Sequence, residues 1–160
     1  MTTRFSHDLT YDAPMADVDA MLMDPDFRER ACQAQGAIRQ TVAITEESGG
    51  VTVVVDQVQN ADGIPGFARK FVGDEINLIQ TESWFDAENA RVEVVIPGKP
   101  GEMTGTINLS ESGGVTTERV EMEIKVNIPL VGGKIETLIA DLLRKALKSE
   151  NAVGRDYLSG

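Results

Sequence analysis

A chain of 160 residues with 26 acidic and 15 basic side chains carries a formal charge of −11. That field repels phosphate-rich partners, so no nucleic-acid partner is expected, and the densest basic stretches are only Arg69-Lys70 and Arg144-Lys145 with Lys148. A chain of this length folded as one domain buries roughly 70% of the surface its unfolded form exposes, enough to do without a disulfide or metal staple. Cys32 is the only cysteine, which rules out an intrachain disulfide. The first twenty residues show no apolar signal core. Apolar runs such as Val53-Val54-Val55 and Val94-Val95-Ile96 are too short to cross a bilayer, so no integral membrane segment and a cytoplasmic location are expected.

Residues Arg4 to Tyr11 alternate, with Phe5, His7, Leu9 and Tyr11 on one face, and predict a half-buried strand. Asp12-Ala13-Pro14 reads as a helix start, and Val18, Met21 and Leu22 supply its apolar face. Asp24-Pro25 starts a second helix that runs to about Gln35, where Gly36 stops it. The period then becomes alternating. Ile38, Val42 and Ile44 before Ser48-Gly49-Gly50, and Val51, Val53 and Val55 after it, predict a hairpin.

Asn60 to Gly73 interrupts the sheet with turn residues and a brief amphipathic piece, Phe67 to Val72, placed to act as a lid. Strands resume at about Glu75 to Phe85, Arg91 to Ile96, Met103 to Ser110 and Val115 to Ile128. In the last of these Val120, Met122, Ile124, Val126 and Ile128 oppose Glu121, Glu123 and Lys125: one face buried, one wet. Gly132-Gly133 then opens a long helix. Its stripe is Ile135, Leu138, Ile139, Leu142, Leu143, Ala146 and Leu147, with Val153 and Tyr157 further along. Two dozen helical residues extend about 36 Å, enough to lie across a sheet.

The expected class is therefore α+β, with a curved antiparallel sheet of six to seven strands wrapped around a long C-terminal helix and two short helices after the first strand. Residues 1–160 read as one domain. One helix cannot cover so large a sheet laid flat, so the sheet must curl around it, and an apolar cavity between the two is the natural ligand site.

This order resembles the START or birch-pollen-allergen-like superfamily of polyketide cyclases, dehydrases and lipid-transport proteins (SRPBCC), with its helix-grip fold. More narrowly the chain looks like an uncharacterised actinobacterial family of that superfamily, a domain of unknown function. The residues carrying the likeness are Ile64-Pro65-Gly66-Phe67-Ala68-Arg69-Lys70-Phe71, Pro97-Gly98-Lys99-Pro100 with Gly105, and Ile128-Pro129-Leu130-Val131-Gly132-Gly133-Lys134-Ile135-Glu136. The superfamily hosts carriers, sensors, cyclases and structural modules, so the resemblance implies a fold rather than one task.

Candidate chemistry is sparse. His7 is the only histidine, either a cavity donor or general base, or a core histidine hydrogen-bonded to a neighbour; the second is expected. Asp8 points to the opposite strand face and no G-x-S-x-G is present, so a serine triad is not expected. Cys32 reads as a small buried hydrophobe rather than a nucleophile. One Cys and one His cannot build a Cys/His zinc site, and Asp17/Asp19 and Asp24/Asp26 lack the rest of a calcium loop. Gly132-Gly133-Lys134 fails as a phosphate loop, and Asn108-Leu109-Ser110 is a glycosylation sequon by spelling alone. Neither cofactor nor metal is expected.

Gln80 and Glu82 share parity with Ile76, Leu78 and Trp84, while Ile79, Thr81 and Phe85 take the other face. Parity leaves open which face is concave; if the first is, Glu82 projects into the cavity and could anchor a ligand hydroxyl or act as an acid. The expected lining is Tyr11, Phe71, Trp84, Met103, Met122, Leu138 and Leu142, with His7 and Glu82 as polar contacts. One Trp, two Tyr and five Phe make any cavity mainly aliphatic, suited to a lipid-like or isoprenoid partner. The alternatives are a protein-interaction domain with a filled core, or a cyclase or hydrolase using His7 or Glu82. The sequence specifies no oligomeric state.

Overall fold

The computed structural model describes residues 2–160. A strand, β1 (Thr3–Tyr11), leads into two short helices, α1 (Met15–Leu22) and α2 (Pro25–Ala34). Three strands and a short helix follow as β2 (Arg39–Glu47), β3 (Gly50–Asn60), α3 (Gly66–Val72) and β4 (Glu75–Trp84). Then come β5 (Asn89–Val95), β6 (Glu102–Ser112), β7 (Val115–Lys125) and the long helix α4 (Gly132–Ser159). The seven strands form one antiparallel sheet in the order β1-β7-β6-β5-β4-β3-β2. The chain thus meanders strand by strand from β2 to β7, and β1 closes beside β7.

Local chemistry accounts for the boundaries. At α2 the Asp24 side chain accepts from the Asp26 amide at 2.9 Å and Pro25 occupies the first turn. The β2–β3 hairpin turns through Ser48-Gly49, with Glu47 opposite Gly50. β7 ends at Lys125, three residues before the alternation in sequence does. The reason is Glu136, fully buried in the first turns of α4, whose carboxylate accepts from the Val126 amide at 2.9 Å and from Thr3 Oγ1 at 2.8 Å. A side chain there takes the donor that a ladder partner would have taken. Gly132 is needed at the same corner, because a Cβ would run into the Val126 carbonyl.

α4 has 28 residues and is about 42 Å long, longer than the sequence pattern alone suggests. It packs mainly on β1, α2 and β7, at one side of the sheet. Its C-terminal half is clamped to α2: Phe27 and Tyr157 meet edge to face at 5.7 Å, Tyr157 donates to Asp24 at 2.5 Å, and Arg30 pairs with Asp156 at 2.9 Å. Where α4 crosses β1 the helix lies against Tyr11, whose ring is buried. A Cβ at Gly154 would stand 2.6 Å from Tyr11 Cε1.

That contact carries the first prediction. On an open helix Gly→Ala gains about 1 kcal/mol. Here we expect Gly154→Ala to lose stability, since overpacking a tight core costs about 1–3 kcal/mol. Urea unfolding should show the loss, and Tyr11→Leu in the same chain should relieve part of it. A stabilised Gly154→Ala protein would mean that the helix–ring contact is not tight.

Candidate functional site

Between the concave sheet face and α4 lies a cavity of about 520 Å³. Seven strands at about 4.8 Å spacing make a surface roughly 30 Å wide, whereas a helix with its side chains is about 10–12 Å across. With α4 docked over β1 and β7, the inner faces of β3, β4 and β5 look across open space. Ile76, Leu78, Val92, Val94 and Ile107 line the sheet side, and Ile135, Leu138, Ile139, Leu142 and Leu143 the helix side. Ala68, Phe71 and Val72 of α3 contribute to one end, where Lys134 of α4 stacks on the Phe67 ring at 4.2 Å.

The strand register gives the cavity a direction. Ile76, Ile96 and Val126 lie toward the α3 end; Glu82, opposite Val92, and Glu118, opposite Leu109, lie toward α1 and α2. α4 runs along this axis, from Ile135 at the first end to Glu150 at the second. The walls are aliphatic and the α2 end is acidic.

At that end Arg28 of α2 and Glu82 of β4 form a buried bidentate pair, Nη1 to Oε2 and Nη2 to Oε1, both at 2.8 Å. Arg28 Nε donates to the Leu22 carbonyl at 2.7 Å, and Glu82 also accepts from Trp84 Nε1 at 2.9 Å and Gln80 Nε2 at 2.6 Å. Burial opposes ionisation of Glu82, but the Arg28 guanidinium and these donors outweigh it and hold the carboxyl below its ordinary range. Arg28 is in turn raised, the carboxylates around it overcoming its burial.

Two further carboxyls share this end without such partners. Glu118 of β7 is only 3% exposed, and its Oε1 has no hydrogen-bond partner. Burial first, then Glu150 and Glu82, push it well above the usual carboxyl value. Glu150, half-buried on α4 with its side chain lining the cavity, is pushed up to about 7 by burial and by Glu82, with Arg28 opposing. The Tyr11 hydroxyl is also buried and unpartnered, and the Asn151 amide beside it donates to the Thr10 carbonyl at 3.1 Å. Burial, Glu118 and Glu150 keep that phenol neutral far into alkali.

Of the residues singled out in sequence, Phe71, Met103, Met122, Leu138, Leu142 and Glu82 line the cavity, so the parity left open in β4 places Gln80 and Glu82 inward. Tyr11 and Trp84 are buried behind the wall, and His7 is half-buried outside it. Burial, followed by Lys148 and Arg144 of α4, lowers the His7 pKa. Burial raises the Cys32 thiol to about 11. Neither is placed to act on a molecule in the cavity.

Sequence reasoning passed over Arg28, Glu118 and Glu150, although each left a signal. Glu118 extends the buried parity of Val120, Met122 and Ile124. Glu150 falls three, four and seven residues after Leu147, Ala146 and Leu143. Arg28 lies beside Phe27, Ala31 and Cys32 on the buried face of α2.

A family model described as protein of unknown function (DUF2505) matches residues 6–158. Uncharacterized protein Mb0491c of Mycobacterium bovis and uncharacterized protein Rv0481c of Mycobacterium tuberculosis are 28% identical over 111 residues, covering 65% of this chain and 63% of theirs. The aligned part therefore spans less than two thirds of those relatives. Among solved structures, Ara h 8.0201 superposes with a TM-score of 0.66 at 16% identity over 100% of both chains. Truncated norcoclaurine synthase from Thalictrum flavum superposes at 0.67 and 15% identity, over 100% of this chain and 96% of that one. The architecture is the helix-grip, START-like fold.

The Arg28–Glu82 pair supplies a stability test. Arg28→Met should cost about 3–5 kcal/mol by leaving Glu82 buried without its cation, whereas Arg28→Met with Glu82→Leu should recover a large part of the loss. Equilibrium denaturation of both variants measures this. Equal losses in the single and the double variant would refute the role of the pair.

The unpaired carboxyls supply a pH test. Their folded pKa values lie above the unfolded one, so their contribution is complete in acid and is lost as pH rises through about 7 for Glu150. Glu82, held low, acts oppositely, and its contribution is lost as pH falls through its folded value. Thermal unfolding should therefore show a Tm maximum in mild acid and a decline toward about pH 8. Glu118→Gln should flatten that decline, while Glu88→Gln, an exposed control, should leave it unchanged. Equal effects of the two substitutions would assign the decline to overall charge.

Proposed function

This chain belongs to the family of proteins of unknown function DUF2505, and from that premise and the cavity we propose that it binds or carries a small apolar molecule between its sheet and α4. The supporting observation is the cavity itself. Its volume of about 520 Å³ falls in the range of small-molecule sites, and aliphatic side chains dominate its walls. A core that served only stability would be filled, since empty apolar space forfeits dispersion contacts.

The aliphatic lining favours a flexible or alicyclic hydrocarbon over stacked planar rings. Phe71, Met103, Met122, Leu138 and Leu142 contact this ligand, with α3 as the lid. Tyr11 and Trp84 support the wall from behind, and Glu82 holds the acidic end in place through Arg28. His7 lies outside the lining and the oxygens of Glu82 are occupied by Arg28, Gln80 and Trp84. An enzyme built on either residue would have to break those arrangements first, and binding without reaction is the simpler task.

The test is native mass spectrometry on gently purified protein, before and after incubation with a broad lipid extract. We expect a stoichiometric added mass that denaturing extraction releases as an apolar molecule. Leu138→Trp should fill the cavity and abolish that mass while the protein stays folded by circular dichroism. A wild-type protein that remains at its bare mass throughout would overturn the reading in favour of a protein-interaction domain.

A further inference from the structure

The acidic end of the cavity contains more than a wall needs. Glu82 is fully satisfied by Arg28, Trp84 and Gln80, and that group alone would close the end of the cavity as a neutral unit. Glu118 and Glu150 add two carboxyls that share the single Arg28 and bring no cation of their own. The Glu118 side chain lines the cavity, and its Oε1 is buried without a partner. A buried polar atom without a partner costs about 1–3 kcal/mol, so its retention on a side chain that lines the cavity marks a place where a ligand atom completes the bonding.

Resting on the reading of the cavity as a ligand site, we infer that its occupant is an amphiphile whose apolar body lies along α4 and whose primary or secondary ammonium group is bound between Glu118 and Glu150. The charge balance selects a cation. Three carboxyls face one guanidinium, and a single ammonium brings the ionised site closer to neutrality. The chain's overall charge of −11 draws cations toward it as well.

Hydrogen-bond chemistry selects an ammonium that carries N–H. A quaternary ammonium requires a cage of aromatic faces, and the aromatic residues on the wall are Phe5 and Phe71. Phe71 lies at the α3 end, and the Phe5 ring already has Arg144 against it at 5.3 Å. Among the described residues no group of three or more His, Cys, Asp or Glu side chains is placed to hold a metal ion, which argues against a divalent cation. Lys99 and Lys145 also touch the cavity but are exposed, so solvent already satisfies their charge.

Occupancy and proton balance are coupled at this site. The charged and titratable groups facing Glu118 and Glu150 are Arg28 and Glu82, paired and ionised, with Tyr11 and Cys32 neutral around them. Protons held by Glu118 and Glu150 in the empty cavity leave when an ammonium enters, so amine affinity rises with pH until both are ionised.

Isothermal titration with decylamine, decanol, decanoate and decyltrimethylammonium tests this with one chain length and four headgroups. At about pH 8 decylamine should bind at least about tenfold more tightly than the other three. Its affinity should fall toward about pH 6, and titration in buffers of different ionisation heat should register proton release. Glu118→Gln should weaken decylamine about tenfold or more while changing decanol by less than about threefold, and Glu150→Gln serves the same comparison should the first variant fold poorly. Decanol or decyltrimethylammonium binding as tightly as decylamine would overturn the ammonium inference and leave the apolar cavity standing. Decanoate binding most tightly would overturn it in favour of the lysine rim. Failure of all four to bind would overturn both readings.

Discussion

One mismatch of widths governs this molecule. A seven-stranded sheet is roughly three times as broad as a helix, and the chain supplies only one long helix to cover it. Had α4 been centred, both flanks of the sheet would have been exposed. It is docked instead over β1 and β7 and clamped to α2 through Phe27, Tyr157 and Arg30, which leaves the inner faces of β3, β4 and β5 over a void. The cavity is thus a consequence of topology, and the side chains decide only its shape and chemistry.

Polar groups then divide the cavity into two unlike ends. At the α3 end the closure is light: a short helix with no side-chain cap, tied across by the contact of Lys134 with Phe67. At the other end Arg28 binds α2 to β4 through its buried bidentate pair with Glu82 and ties the same corner to the Leu22 carbonyl. Networks that are fully satisfied in low dielectric are rigid, because any displacement leaves a buried group unpaired. A rigid polar end and a lightly held apolar end suit a site that admits a molecule at one end and orients it at the other.

The sequence made the architecture legible because the fold depends on periodicities that single residues report. The alternation of β1 and β7, the valines of the β2–β3 hairpin and the stripe of α4 each appear without knowledge of the partner. The acidic end was hard to read for a related reason. Glu118, Glu150 and Arg28 occupy positions whose parity says buried, while their charge says exposed, and a sequence reading that favours charge passes over them. Only the fold shows that Arg28 meets Glu82 across 54 positions of the chain, a pairing no local pattern encodes. Tyr11 and Trp84 show the reverse limit: their periodicity placed them correctly on inward faces, but the last residues of β1 and β4 are core, whereas the same faces of the same strands nearer α3 line the cavity, at Phe5 in β1 and at Ile76 and Leu78 in β4.

A conflict between period and charge is itself informative. Selection for stability alone replaces a buried, half-satisfied carboxyl with an aliphatic residue, a change that is often neutral or stabilising when the whole polar set is exchanged. Glu82 escapes that argument because Arg28, Trp84 and Gln80 satisfy it. Glu118 does not escape it: its free oxygen costs stability, and nothing in the wall of the cavity returns that cost. The same side chain lines a space large enough for a ligand, and the opposite wall presents Glu150 at the matching end of α4. The defect and the space explain each other, since a group left without a partner by the protein is free to bind one that enters from outside.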